Sequence, residues 1–142
     1  MGAELFVDTG AWFALQVADD RWHTDAAHSV RAALARGHVL VTTNLVVGET
    51  YTLLRRTLGH AAAFRFVDTL DRSPRLTQVH VDEALEREAF ALLRRYGDHA
   101  FSFVDGASFV VMQRRRIRRA LAFDVHFATA GFVRVPQDEP LA

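Results

Sequence analysis

Glu4-Leu5-Phe6-Val7-Asp8-Thr9-Gly10-Ala11-Trp12, close to the start of the chain, breaks into two parts of different period. Leu5, Phe6 and Val7 form a short apolar run with no helical spacing, cut off by a carboxylate. Apolar residues resume at Ala11, Trp12, Ala14 and Leu15, closer to the spacing of a helix. A buried parallel strand that runs into a helix has this form, with Asp8 at the carboxyl end of the strand. Ligand crevices of open α/β sheets lie outside those strand ends. Asp8 is therefore either the cap of the following helix, a common use of aspartate, or the first wall of an active site.

The same alternation continues outward. Asp19-Asp20 marks a turn, and Ala26, Ala27, Val30, Ala33 and Leu34 have helical spacing closed by Gly37. Val39-Leu40-Val41 reads as a second strand. Thr43 can cap a helix from Asn44 to Leu58, with Val47, Tyr51, Leu54 and Leu58 as its apolar stripe and Gly59 after it. A short helix is predicted from His60 to Leu70, a strand from Leu76 to Val81, and a helix capped by Asp82 and ended by Gly97. Ser102-Phe103-Val104-Asp105 has the form of a capping box opening a helix to about Arg115. Ala120 to Phe123 is a strand that delivers Asp124 to its end; His126 to Ala130 is a short helix or turn, and Phe132 to Val135 a last strand. Short apolar strands alternating with helices imply a parallel sheet covered on both faces. No repeat or Gly/Ser/Pro-rich linker interrupts the pattern, so one α/β domain is expected over residues 1–142.

Composition narrows the chemistry. The chain has no cysteine, which removes disulfides, thiolate metal sites and cysteine nucleophiles and agrees with a reducing cytoplasm. It holds no apolar run long enough to span a bilayer and no basic region leading an apolar stretch, so neither a membrane segment nor a signal peptide is expected. Basic and acidic residues balance at 17 each, and every basic one is arginine. That missing lysine counts against a phosphoacceptor domain or an aspartyl phosphatase, both of which rely on one. Gly10 also stands where the phosphatase would carry its second acid. A dinucleotide site is excluded because Asp8-Thr9-Gly10 does not supply the Gly-x-Gly-x-x-Gly turn.

Asp8 and Asp124 each end an apolar strand, Asp105 lies in the first turn of a helix, and Glu49 stands in a row with Leu45 and Leu53. In a parallel sheet the first three meet at one edge. Carboxylates converging on one mouth raise each other's pKa and cost stability unless a cation neutralises them. A divalent metal answers that need, and all-oxygen ligands select Mg2+ or Mn2+ over zinc. A zinc site has no His-x-x-x-His pair to support it.

Phe-Val-Asp-Thr at 6–9, Glu49 within its helix, Ser-Phe-Val-Asp at 102–105 and Phe-Asp-Val-His-Phe-Ala-Thr-Ala-Gly-Phe at 123–132 together resemble the PIN-domain family. The resemblance is closest to its VapC-like branch, the ribonuclease toxins of bacterial toxin–antitoxin pairs, and spans nearly the whole chain in order. It implies a five-stranded parallel sheet flanked by helices and metal-dependent cleavage of RNA to a 5′-phosphate and a 3′-hydroxyl. It also implies a homodimer inhibited by a small antitoxin. Under it, Asp8 and Asp105 hold Mg2+ or Mn2+, Asp124 binds directly or through water, and Glu49 orients or deprotonates the attacking water. Thr9 matches the hydroxyl residue usual beside the first acid, whereas Gly10 departs from the small hydroxyl residue often found next. A non-catalytic RNA- or protein-binding module on the same fold is the alternative.

Further residues carry secondary expectations. Arg114, Arg115, Arg116, Arg118 and Arg119 form the densest charge run, either a solvated helix end or a patch for phosphates flanking the cut. His126, two residues past Asp124, is either structural or close to a phosphate or the metal. Ser102 reads as a cap rather than a nucleophile. Trp12, Phe13, Val46, Val47 and Tyr51 exceed what one core face needs, which leaves core packing or a dimer or antitoxin surface.

Overall fold

A computed structural model describes residues 2–141. Its strands are β1 (Glu4–Val7), β2 (Val39–Thr43), β3 (Leu76–Val79), β4 (Arg119–Leu121) and β5 (Val133–Val135). The helices are α1 (Thr9–Gln16), α2 (His23–Ala35), α3 (Asn44–Leu58), α4 (His60–Asp71), α5 (Glu83–Arg95), α6 (Phe103–Arg115) and α7 (Val125–Thr129). The strands form one five-stranded sheet in the order β3-β2-β1-β4-β5, with every neighbouring pair parallel.

That order follows from the apolar runs. Leu5, Phe6 and Val7 are fully buried, as a central strand covered on both faces requires. From β1 the chain winds outward through β2 to β3, then returns across the sheet to β4 and β5. Right-handed crossovers put the helices of the two winding directions on opposite faces. The packing agrees: α1 lies against α2 and α3, and α3 against α4, whereas α5 packs on α6 and α6 on α7. The direction reverses at β1, so a crevice opens between the carboxyl ends of β1 and β4.

Several boundaries differ from the expectation. β3 stops at Val79 rather than Val81, because Val81 gives its N–H to the Asn44 side chain (2.7 Å) instead of to a ladder. β4 stops at Leu121, and α5 ends at Arg95 with Tyr96, not Gly97, closing it. The buried face of α3 is Val46, Thr50 and Leu54, one residue round from the predicted stripe. Thr50 was passed over because it is polar, yet its hydroxyl donates to the Val46 carbonyl at 2.8 Å and can therefore be buried at no cost in unmade bonds. Leu58 is consequently exposed. Trp12 and Val46 belong to the core rather than to a docking surface. The Trp12 indole N–H donates to Thr42 Oγ1 (3.3 Å) and its ring meets Phe66 edge-on.

Helix α6 is the internal support of the site. Asp105 to Met112 are all buried, so this helix lies inside the domain rather than on it. It approaches α5 so closely that a Cβ on Gly106 would sit 2.8 Å from Leu93 Cγ. Any larger residue at Gly106 would require the Leu93 side chain to shift.

Candidate active site: a carboxylate cleft at the sheet's carboxyl edge

Each acid arrives by a local device. Asp8 leaves β1 with its N–H bonded to the Leu121 carbonyl of β4 (3.1 Å), which ties it to the crevice. It occupies the cap position of α1, but its side chain makes no capping bond; its backbone carbonyl accepts from Ala11 and Trp12 instead. Of the two readings open for Asp8, capping by the carboxylate is therefore not the one realised. Asp105 and Ser102 form the reciprocal capping box: Ser102 Oγ accepts from the Asp105 N–H and Asp105 Oδ2 from the Ser102 N–H, both at 3.0 Å. Ser102 is thus a cap, as expected. Asp124 caps α7 through the His126 N–H (2.8 Å) and stays exposed at the surface of the crevice. Glu49 projects from mid-α3, exposed, onto the same cleft.

Asp8, Glu49, Asp105 and Asp124 therefore line one open cleft of about 560 Å³, together with Thr9 and His126. No arginine is among the lining residues; the basic group that lines the cleft beside the acids is the His126 imidazole, while Arg134 feels the charge of Asp124 from outside the lining. The electrostatic consequence falls on Asp8, whose carboxyl is pushed up to about 7. Burial is the main cause, opposed by the Thr9 N–H and reinforced by the charges of Asp105, Asp124 and Glu49. A carboxyl raised by burial and neighbouring charges in a cleft marks a candidate functional site.

His126 joins the cluster more closely than the sequence suggested. Its Nδ1 lies 2.9 Å from Asp105 Oδ2 and 3.4 Å from Asp124 Oδ1, and Phe101 meets its ring edge-on. One ligand atom each from Asp105, Asp124 and His126 lie within 4.8 Å of one another, close enough to hold a metal ion. Asp8 shares the cleft but lies outside this tightest trio. The donor set fits a divalent ion: carboxylate oxygens, an imidazole, and beside Asp8 a buried Thr9 hydroxyl that has no hydrogen-bond partner.

The arginine run is placed elsewhere. α6 begins at the cleft and carries its last residues to the opposite edge of the sheet, about 15 Å along the helix from Asp105 to Arg115. There Arg115, Arg116, Arg118 and Arg119 line a second cleft with Glu4 and Val39, at the starts of β1 and β2. Arg114 pairs with Glu88, Arg115 with Glu4 and Arg119 with Glu139. That position sets the run a helix length from the acids rather than beside them. Conversely, the cleft residues not singled out from the sequence include Asp20, Trp22 and Phe123. Asp20 was read only as part of a turn, Trp22 fell between that turn and the next helix, and Phe123 was counted as a strand residue.

Residues 5–133 match the PIN domain family. Over 131 residues the chain is 41% identical to the 23S rRNA-specific endonuclease VapC20 of Mycobacterium tuberculosis, covering 92% of this chain and 97% of that protein. The crystal structure of M. tuberculosis VapC20, described as a Sarcin-Ricin loop cleaving toxin, superposes with a TM-score of 0.83 at 40% identity, over 92% of this chain and 98% of that one. VapBC2 from Rickettsia felis, bound to a promoter DNA fragment, shares the fold at a TM-score of 0.69 and 9% identity, over 92% of this chain and 96% of that one. FitAcB from Neisseria gonorrhoeae shares it at 0.61 and 13%, over 92% and 94%. With the predicted parallel sheet, the acid cleft and this likeness along nearly its whole length, the chain belongs to the PIN domain family.

Proposed function

We propose that this protein is a Mg2+- or Mn2+-dependent endoribonuclease that hydrolyses RNA phosphodiester bonds, and that it is the toxin of a toxin–antitoxin pair. The observation that carries the reading is the convergence of Asp8, Glu49, Asp105 and Asp124 on one cleft whose lining residues include no arginine. A binding module gains nothing from this mutual repulsion, whereas a metal-dependent nuclease needs it. The likeness to VapC20 supports a structured loop of ribosomal RNA as the substrate class.

Asp105 and Asp124 would hold the ion, with Asp8 and the His126 imidazole completing its protein donors. When bound, such an ion polarises a phosphoryl oxygen and lowers the pKa of a coordinated water. Glu49, exposed at the mouth, orients the attacking water and accepts its proton. Ser102 fixes the Asp105 carboxylate through the capping box, and Thr9 has a free hydroxyl to offer beside Asp8. A cognate antitoxin and a homodimer follow from the same family reading. Among the described residues no helix is long and apolar enough to cross a membrane. Incubation of total RNA with the purified protein tests the reading: discrete fragments with magnesium or manganese and none with chelator are expected. Equal cleavage by folded Asp8→Asn and Asp105→Asn variants would refute it.

A further inference from the structure

The cleft has a wall that hydrolysis alone does not require. Trp22, just ahead of α2, and Phe123, just ahead of Asp124, stack at 4.8 Å between ring centroids with 3° between their planes. This is the most parallel aromatic pair among the described residues; the core pair Phe109–Phe127 meets edge-on at 87°. Both rings are only half-buried, and both line the carboxylate cleft. The Asp20 carboxylate accepts the Trp22 N–H at 2.8 Å, which fixes the backbone carrying the indole. On the indole lies the Arg21 guanidinium, its carbon 4.4 Å from the ring centroid. Arg21 is exposed and, among the described residues, forms no salt bridge. A flat cation already occupies the position over Trp22 that a flat base would take, and nothing else holds it there.

We propose that Trp22 and Phe123 are a stacking platform for the unpaired nucleobase next to the scissile phosphate. Arg21 exchanges from the indole face to the neighbouring phosphate as that base arrives. The proposal rests on the ribonuclease reading and deepens it, because it states what RNA the cleft accepts. A base within a duplex has no free face to offer, so the platform selects loops, bulges and single strands. Stacking is tolerant of base identity, since every base presents a π-face. A guanidinium moved from ring to phosphate gains a charge-assisted pair in place of a weaker cation–π contact.

The chain contains two tryptophans, and Trp12 is 5% exposed inside the core, so RNA-dependent emission changes report Trp22. The test uses the full-length protein carrying Glu49→Gln, to slow cleavage, with magnesium and a short single-stranded RNA or the same strand annealed to its complement. Single strand is expected to quench emission and duplex is not. Trp22→Ala raises the dissociation constant about tenfold, as loss of one stacked base does, while Trp22→Phe keeps the affinity and loses the quench. Arg21→Ala lowers the slope of log affinity against log salt by about one. Affinity of folded Trp22→Ala within about twofold of the parent overturns the platform, as does equal quenching by duplex. Should Trp22→Ala melt early, Trp22→Phe and Arg21→Ala carry the test. A parent that cleaves RNA but shows none of these effects loses only the platform; one that neither binds nor cleaves RNA loses both readings.

Discussion

The two edges of the sheet hold the chain's two densest groups of charge and treat them oppositely. At the amino edge, Arg114, Arg115 and Arg119 have carboxylate partners within 2.6–3.0 Å, so three of the five arginines of the run are paired by the protein itself. At the carboxyl edge, Asp8, Glu49, Asp105 and Asp124 share a cleft lined by no arginine, and only His126 bridges two of them. A fold with 17 arginines could have neutralised that cleft. Charges closed off among themselves contribute to structure, whereas charges left open await something from outside.

The largest effect should fall on chemistry at the open edge. Asp105→Asn is expected to lower RNA cleavage by about a hundredfold or more, a loss of roughly 3 kcal/mol of transition-state stabilisation, with its melting curve retained. A folded Asp105→Asn variant with parental rate would show that the open edge is not the reacting one. Next, magnesium or manganese at a hundred times its dissociation constant should raise stability by about 3 kcal/mol, read as a higher melting temperature. Asp124→Ala should reduce that gain. If every variant at this edge keeps the full gain, the ion binds elsewhere and the contrast between the edges fails.

Without metal, the raised Asp8 pKa makes a prediction of definite sign. The folded state holds this proton more tightly than the unfolded chain, whose value is near 3.8. The contribution of Asp8 to stability is therefore fully present below about 4. Stability then falls, by on the order of a few kcal/mol, as pH rises to about 7, and no further above it. Denaturant titrations across that range should show the fall in the parent and a flatter profile in Asp8→Asn. The smallest effect belongs to the closed edge. Arg115→Ala removes a partly exposed pair with Glu4 and should cost under about 1 kcal/mol, with RNA cleavage unchanged. A drop in RNA affinity there would extend the substrate's path across both edges.

Much of this was legible in the residues. Short apolar runs ending in acids, with helical spacing between them, were enough for a parallel α/β sheet and for acids at its carboxyl edge. The reason is that strand polarity and the residue after a strand are local facts. Capping was legible too: Ser102 with Asp105, Thr43 and Asp82 all cap as their spacing indicated. The buried face of α3 was missed by one position, because a threonine that bonds its own helix backbone is apolar in effect and polar in name.

What residue order alone determined is therefore which side chains stand at which end of each element. Only the tertiary structure decided which of them meet. It carried the arginine run a helix length away from the acids, because a helix that begins at one sheet edge must end near the other. It set the His126 ring between Asp105 and Asp124, and it stacked Trp22 on Phe123 across about a hundred residues of chain, since three-dimensional packing rather than spacing along the chain brings such rings face to face. Contacts between distant segments depend on how the helices cross and pack, and no local pattern encodes them.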